Sequence, residues 1–119
     1  MGFLYVALGG AIGAMGRYAI SLVPVKTSFP VLTLLTNILG ALLIGFLAGL
    51  AGNQTKNSQL FWKTGICGGF TTFSTFSLEA FQLLENKSYI LCGVYMFLSV
   101  ACCLLGILCG KKLALLLNR

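Results

Sequence analysis

Four runs of roughly twenty apolar residues take up nearly the whole chain: residues 3–23, 31–52, 60–84 and 88–110. About twenty such residues, coiled as a helix, span the hydrocarbon core of a bilayer, where every backbone polar group must be paired internally. The remainder, residues 24–30, 53–59, 85–87 and 111–119, is too short for a soluble domain, a receptor module or a nucleotide site. The expected fold is therefore an all-α membrane protein, a single domain over residues 1–119 with four transmembrane helices. Composition agrees: 58% of the residues are hydrophobic and 8% charged, against roughly 25% charged in soluble domains. The mean hydropathy is +0.97.

The first run is expected to be retained rather than cleaved as a signal peptide, because it lacks a basic leader and carries Arg17 where an apolar core would continue. The net charge of +6 would suggest nucleic acid in a soluble protein. Here the cations sit at loops and helix ends, where membrane topology reads them, so the bilayer is the expected partner and nucleic acid is not. An even number of crossings puts both termini on one side, with Lys56, Lys63, Lys111, Lys112 and Arg119 there against Arg17, Lys26 and Lys87 opposite. That margin favours cytoplasmic termini only weakly. The five cysteines lie in apolar runs, with no histidine and no CxxC spacing, so they read as core fillers rather than metal ligands. With only Glu79 and Glu85 as acids and no base for a thiol, no enzyme is expected.

Lipid tails give helices no hydrophobic reason to associate, so bundles depend on small residues that let backbones approach. Gly9, Gly10, Gly13 and Gly16 in the first run, Ala41, Gly45 and Gly49 in the second, and Gly106 and Gly110 in the fourth supply such rows. They identify packing without naming a partner. Four tight helices leave no lumen, which makes a homo-oligomer the expected working unit.

The third run differs. Residues 65–79 read Gly-Ile-Cys-Gly-Gly-Phe-Thr-Thr-Phe-Ser-Thr-Phe-Ser-Leu-Glu. Gly68 and Gly69 weaken the helix, and the hydroxyls of Thr71, Thr72, Ser74, Thr75 and Ser77 can satisfy backbone groups freed by a break. A discontinuous helix is expected, with residues 68–75 as the functional suspect, since broken helices in membranes present backbone dipoles to ions. Phe70, Phe73 and Phe76 recur in threes beside Thr71, Ser74 and Ser77. One reading is packing, with hydroxyls bonded back to carbonyls a turn earlier. The other uses the positive edge of each ring and the hydroxyl donors to replace the water around a small, strongly hydrated anion.

Matching polar faces exist on the second run, with Thr33, Asn37, Gly40 and Ala41, and on the fourth, with Tyr95, Ser99 and Cys103 four apart. Either set could join the ion path or serve as interhelical glue. Arg17 and Glu79 interrupt their runs near the same membrane face if the helices alternate in direction. They could pair, Arg17 could enrich anions in a vestibule, or both could snorkel to the interface. Lys63 reads as an interfacial anchor.

Together, residues 68–79, Gly-Arg-Tyr at 16–18 and Thr-Asn-Ile-Leu-Gly at 36–40 resemble the CrcB/Fluc family of fluoride channels, in order and across the whole chain. The resemblance implies a fluoride-selective channel that passively exports cytoplasmic fluoride and confers fluoride resistance, in the cell membrane, with the bacterial inner membrane expected. It implies an antiparallel, dual-topology homodimer with two fluoride pathways along the subunit interface. It also implies a structural sodium ion at the dimer centre, held by the backbone carbonyls of Gly68 and Thr71 from each copy, a hard cation on hard oxygens. By motif position the fluoride pathway takes Asn37, Phe73, Phe76 and Glu79 directly, with Tyr95 and Ser99 as the polar track of the fourth run; Ser74 and Thr75 among the hydroxyls of the third run and Arg17 in the first are expected to join it. Cys103 stands where a third hydroxyl is expected, and a thiol is the poorer donor.

Two other functions fit four short helices. A small multidrug-type, proton-coupled exporter centres on an acid in the first helix, where this chain has Arg17 and no carboxylate. A packing subunit without transport would leave the hydroxyl-rich run without a purpose.

Overall fold

The computed structural model describes residues 1–27, 29–50, 52 and 54–117. Ala51 and Asn53, in the expected second helix and the loop after it, and Arg119, counted among the basic residues, lie outside the described residues. Regular structure among the described residues is helical throughout: α1 (Gly2–Ser21), α2 (Val31–Gly49), α3 (residues 56–70), α4 (Phe73–Glu85) and α5 (Tyr89–Leu117). Three of these, α1, α2 and α5, are long and apolar enough to cross a membrane. The third apolar run is shared between α3 and α4.

Each boundary has a local cause. α1 closes on short backbone bonds from Leu22 to Ala19 and Val23 to Ile20, two residues before the expected end at 23, because Pro24 disfavours helical geometry at Val23. α2 begins directly after Pro30. α3 starts four residues earlier than expected, since Thr55 caps it by accepting the Ser58 N–H at 3.1 Å. Its middle, Leu60–Cys67, is wound as a π-helix, a form that is rare and concentrates at functional sites. α4 ends where Lys87 takes φ 59°. There the Ser88 and Lys87 N–H groups return to Leu83 and Leu84, a Schellman closure.

α5 overruns its expected end at 110 by seven residues, so the tail from 111 is helical as far as Leu117. Lysine is a good helix former, no proline or further glycine follows Gly110, and Ala114 is fully buried. The 29 residues of α5 reach about 43 Å at 1.5 Å per residue, longer than the roughly 30 Å hydrocarbon core.

The helices associate as two parallel pairs. α1 lies along α3, and α2 along α5. A Cβ added at Gly9 would strike the Phe61 carbonyl, and one at Gly13 the Ile66 carbonyl. In the second pair a Cβ at Gly45 would strike the Ile107 carbonyl, and one at Gly110 the Leu42 carbonyl. Within each pair the contacts advance in the same order along both helices, so each pair is parallel. α4 leaves the first pair and packs on α5, where Ala80, Leu83, Cys92 and Tyr95 form the main buried cluster with Phe29, Leu34, Phe76 and Leu91 around it. The outer faces are apolar, with Ile90 83% and Phe97 73% exposed, a surface suited to lipid rather than water.

Candidate functional site

The site begins with two residues. α3 ends at Phe70, Thr71 and Thr72 are extended, and α4 starts at Phe73. The Thr71 N–H still bonds the Cys67 carbonyl at 3.0 Å, and its Oγ1 donates to the same carbonyl at 2.8 Å. Thr72 turns away. Its N–H, which would continue the helix by donating to the Gly68 carbonyl, donates instead to Asn37 Oδ1 at 2.9 Å, and its carbonyl accepts from Asn37 Nδ2 at 3.1 Å. Its hydroxyl caps α4 by accepting the Thr75 N–H at 3.1 Å. A single residue thus ends one helix against α2 and starts the next.

Two cavities flank this interruption, and Thr72 lines both. The larger, a groove of about 420 Å³, runs between α2, α3, α4 and α5. Asn37, Gly40 and Ala41 line one wall, Gly68, Thr71, Phe73 and Phe76 another, and Ser99 and Cys103 a third, with Lys63 also lining it. The Phe73 and Phe76 rings lie 5.6 Å apart, inclined by 44°. Phe73 is 77% exposed, whereas Phe76 also packs on Tyr95 at 5.1 Å. Ser99 is buried, yet its Oγ has no hydrogen-bond partner among the described residues. An unsatisfied buried hydroxyl costs about 1–3 kcal/mol, which a passing ligand can relieve.

The second cavity, about 280 Å³, is lined by Arg17, Thr33, Thr36 and Thr75 among others. Arg17 Nε is buried without a hydrogen-bond partner among the described residues. The alternative of Arg17 pairing with Glu79 is not seen among the described residues; Glu79 Oε1 accepts the Tyr95 hydroxyl at 3.3 Å.

The residues singled out from sequence therefore divide. Asn37, Phe73, Phe76, Ser99, Gly68 and Thr71 share the groove, and Arg17 and Thr75 share the second cavity. Tyr95 lines neither: it has no exposed surface, and Phe29 meets its ring edge-on at 5.5 Å. Glu79 sits with Tyr95 rather than in a cavity, and Ser74 is exposed with its Oγ 3.5 Å from Thr72 Oγ1. Phe29, Thr36 and Cys67 were not expected as neighbours of the site. Thr36 directly precedes Asn37, and Cys67 precedes Thr71 by one turn, so helical spacing is the signal for both. Phe29 lies in a loop, where no periodicity marks it.

The Gly68 and Thr71 carbonyls suit a hard cation. The Gly68 carbonyl has lost its regular helical donor to Asn37, Thr71 is extended at ψ 157°, and a Cβ at Gly68 would meet nothing within 4 Å. Helix-end carbonyls of this kind carry partial negative charge.

Residues 4–111 match the family model described as CrcB-like protein, Camphor Resistance (CrcB). The chain is 46% identical over 115 residues to a fluoride-specific ion channel FluC of Ruminiclostridium cellulolyticum, covering 92% of this chain and 88% of that one. It is 45% identical over 120 residues to a protein of the same name from Clostridium perfringens, covering 96% and 94%. A namesake from Methanococcus maripaludis is 43% identical over 111 residues, covering 91% of each chain.

Proposed function

The chain belongs to the CrcB family, and from that premise we propose that it is a fluoride-selective membrane channel through which cytoplasmic fluoride leaves the cell passively. It is a multi-pass membrane protein and not an enzyme. Hydrogen fluoride enters cells as a neutral acid and dissociates in the more alkaline cytoplasm. A selective passive exit for the trapped anion then confers resistance without energy coupling.

The observation that carries the reading is the groove where Phe73 and Phe76 share space with the unpartnered Ser99 hydroxyl. A dehydrated fluoride needs donors and positive ring edges, and must be held weakly enough to leave. Ser99 offers an unspent O–H, and Asn37, with one amide N–H given to Thr72, keeps another. Arg17, with Thr75 in the second cavity, draws anions toward the pathway, and charge focusing in a low-dielectric cleft raises local anion concentration. Ser74, Tyr95 and Glu79 border the route: Tyr95 holds Glu79 back by hydrogen bonding it, which keeps a carboxylate from opposing an anion.

The working unit is an antiparallel, dual-topology homodimer in the inner membrane, with two pathways along its interface and α3 and α4 together forming one interrupted crossing. The open groove, the 77% exposure of Phe73 and the open space at Gly68 support a second copy there. The carbonyls of Gly68 and Thr71 from both copies would hold a structural sodium ion, which supplies a fixed positive charge at the centre of the assembly.

Purified protein in liposomes tests the function: fluoride efflux should far outpace chloride efflux, and equal rates would remove the claim. Cross-linking of paired copies tests the assembly, since only antiparallel partners join cysteines placed at opposite helix ends. The proton-coupled exporter has no supporting feature, because the relatives are named channels and α1 contains no carboxylate.

A further inference from the structure

We infer that Asn37 is a positioning residue, and that its face of α2 clamps the helix interruption open and thereby sets how well the Gly68 and Thr71 carbonyls receive a cation. The inference rests on the sodium reading above for its ligand, but the clamp itself stands on geometry.

Left alone, the Thr72 N–H belongs to the Gly68 carbonyl, one helical turn back. Asn37 replaces that bond with a pair of its own, accepting the N–H at 2.9 Å and donating to the Thr72 carbonyl at 3.1 Å, across 35 residues of sequence. An amide side chain is among the few groups that can satisfy the N–H and the C=O of one residue at once, because it carries donor and acceptor side by side. The exchange leaves the Gly68 carbonyl without its helical donor. One turn along α2, Gly40 completes the clamp: a Cβ there would strike Thr71 Cγ2, and Thr71 cannot swing aside freely because its hydroxyl is tied to the Cys67 carbonyl at 2.8 Å. Asn37 thus spends one of its two N–H donors and one acceptor site of its oxygen on the Thr72 backbone. Because Thr72 also lines both cavities, releasing it would move the wall between them.

The clamp differs in its consequences from a role as ion ligand. Asn37→Ser keeps a hydroxyl donor toward the groove but cannot bridge the Thr72 peptide. Gly40→Ala leaves Asn37 untouched but displaces Thr71. If the clamp sets the carbonyls, both variants act alike. In liposomes, each should raise the sodium concentration needed for half-maximal fluoride efflux by about ten- to hundredfold, the magnitude that two ordinary hydrogen bonds supply. Hydrogen exchange on the full-length protein in nanodiscs should rise in the peptide covering residues 71–75 in both variants. The inference is overturned if Asn37→Ser slows efflux equally at every sodium concentration and leaves exchange at 71–75 unchanged, the behaviour of a direct ion ligand. Efflux from the unaltered protein that ignores sodium would instead remove the sodium reading. Exchange then decides the clamp alone, with raised exchange in the variants upholding it and unchanged exchange ending it.

Discussion

The α2–α5 pair and the junction between α3 and α4 solve the same problem, holding backbone against backbone without water, by opposite means. In the pair, Gly45 and Gly110 remove side chains so that each meets a carbonyl of the facing helix, and dispersion over a long contact holds the two together. At the junction, two residues leave the helix: Asn37 meets the Thr72 N–H and carbonyl, and the Thr72 hydroxyl accepts the Thr75 N–H of the next helix. Close packing tolerates no added volume but asks for no particular partner. A polar junction asks for one partner in one place.

The contrast predicts where substitutions do damage. The largest effect is expected at the pair: Gly110→Leu should destabilise the protein by about 3 kcal/mol or more, the upper range for overpacking, read as a lower melting temperature and loss of folded protein in detergent. Survival of a wild-type melting temperature would mean that the helices are not in backbone contact. Next, Ser99→Ala should slow fluoride efflux by about ten- to hundredfold, since hydrogen bonds to charged groups are worth about 1.5–3 kcal/mol. Melting should be unchanged or raised, because the variant removes a buried hydroxyl that has no partner in the protein. A slower channel that is also less stable would assign Ser99 to packing.

A smaller loss is expected for Phe76→Ile. Efflux should fall by about tenfold, in line with the roughly 0.5–1.5 kcal/mol that aromatic geometry adds beyond area burial. Unchanged fluoride resistance in cells would return the phenylalanines to a packing role. The smallest is Thr72→Ala, which removes the cap of α4 and should cost about 1 kcal/mol, visible as a modest drop in melting temperature. It keeps the Thr72 peptide, so the bonds to Asn37 should persist and hydrogen exchange at 71–75 should change less than in Asn37→Ser.

Much of this was readable before any coordinates. The apolar runs mark where helices lie, because in a bilayer the hydrophobic pattern and the backbone's need for internal pairing act on each residue locally. The cluster of glycines and hydroxyls at 68–77 likewise announces a weak helix, since Gly68, Gly69 and the following threonines lower helical stability at their own positions. The resemblance in the third run led to the family that residues 4–111 match.

Other features depend on neighbours distant in sequence. Nothing near Tyr95 says that its hydroxyl is given to Glu79 and that the ring lies under Phe29 instead of facing the groove. The extension of α5 to Leu117 was hidden by Lys111 and Lys112, which read as a helix-ending charge pair until Ala114 is seen buried. Asn37 is the clearest case. From sequence its amide is a donor with two open prospects, anion or glue, and its partner turns out to be a peptide 35 residues away.

The four apolar runs that opened the reading thus stand as local facts of hydropathy, and so does the weakness of the third. How that weakness is resolved, with the Thr72 peptide clamped to α2 and a groove left beside it, is a matter of which groups face one another. A hydrogen bond between helices depends on their relative rotation and depth, and those are set by the glycine contacts of the whole bundle together rather than by any one segment.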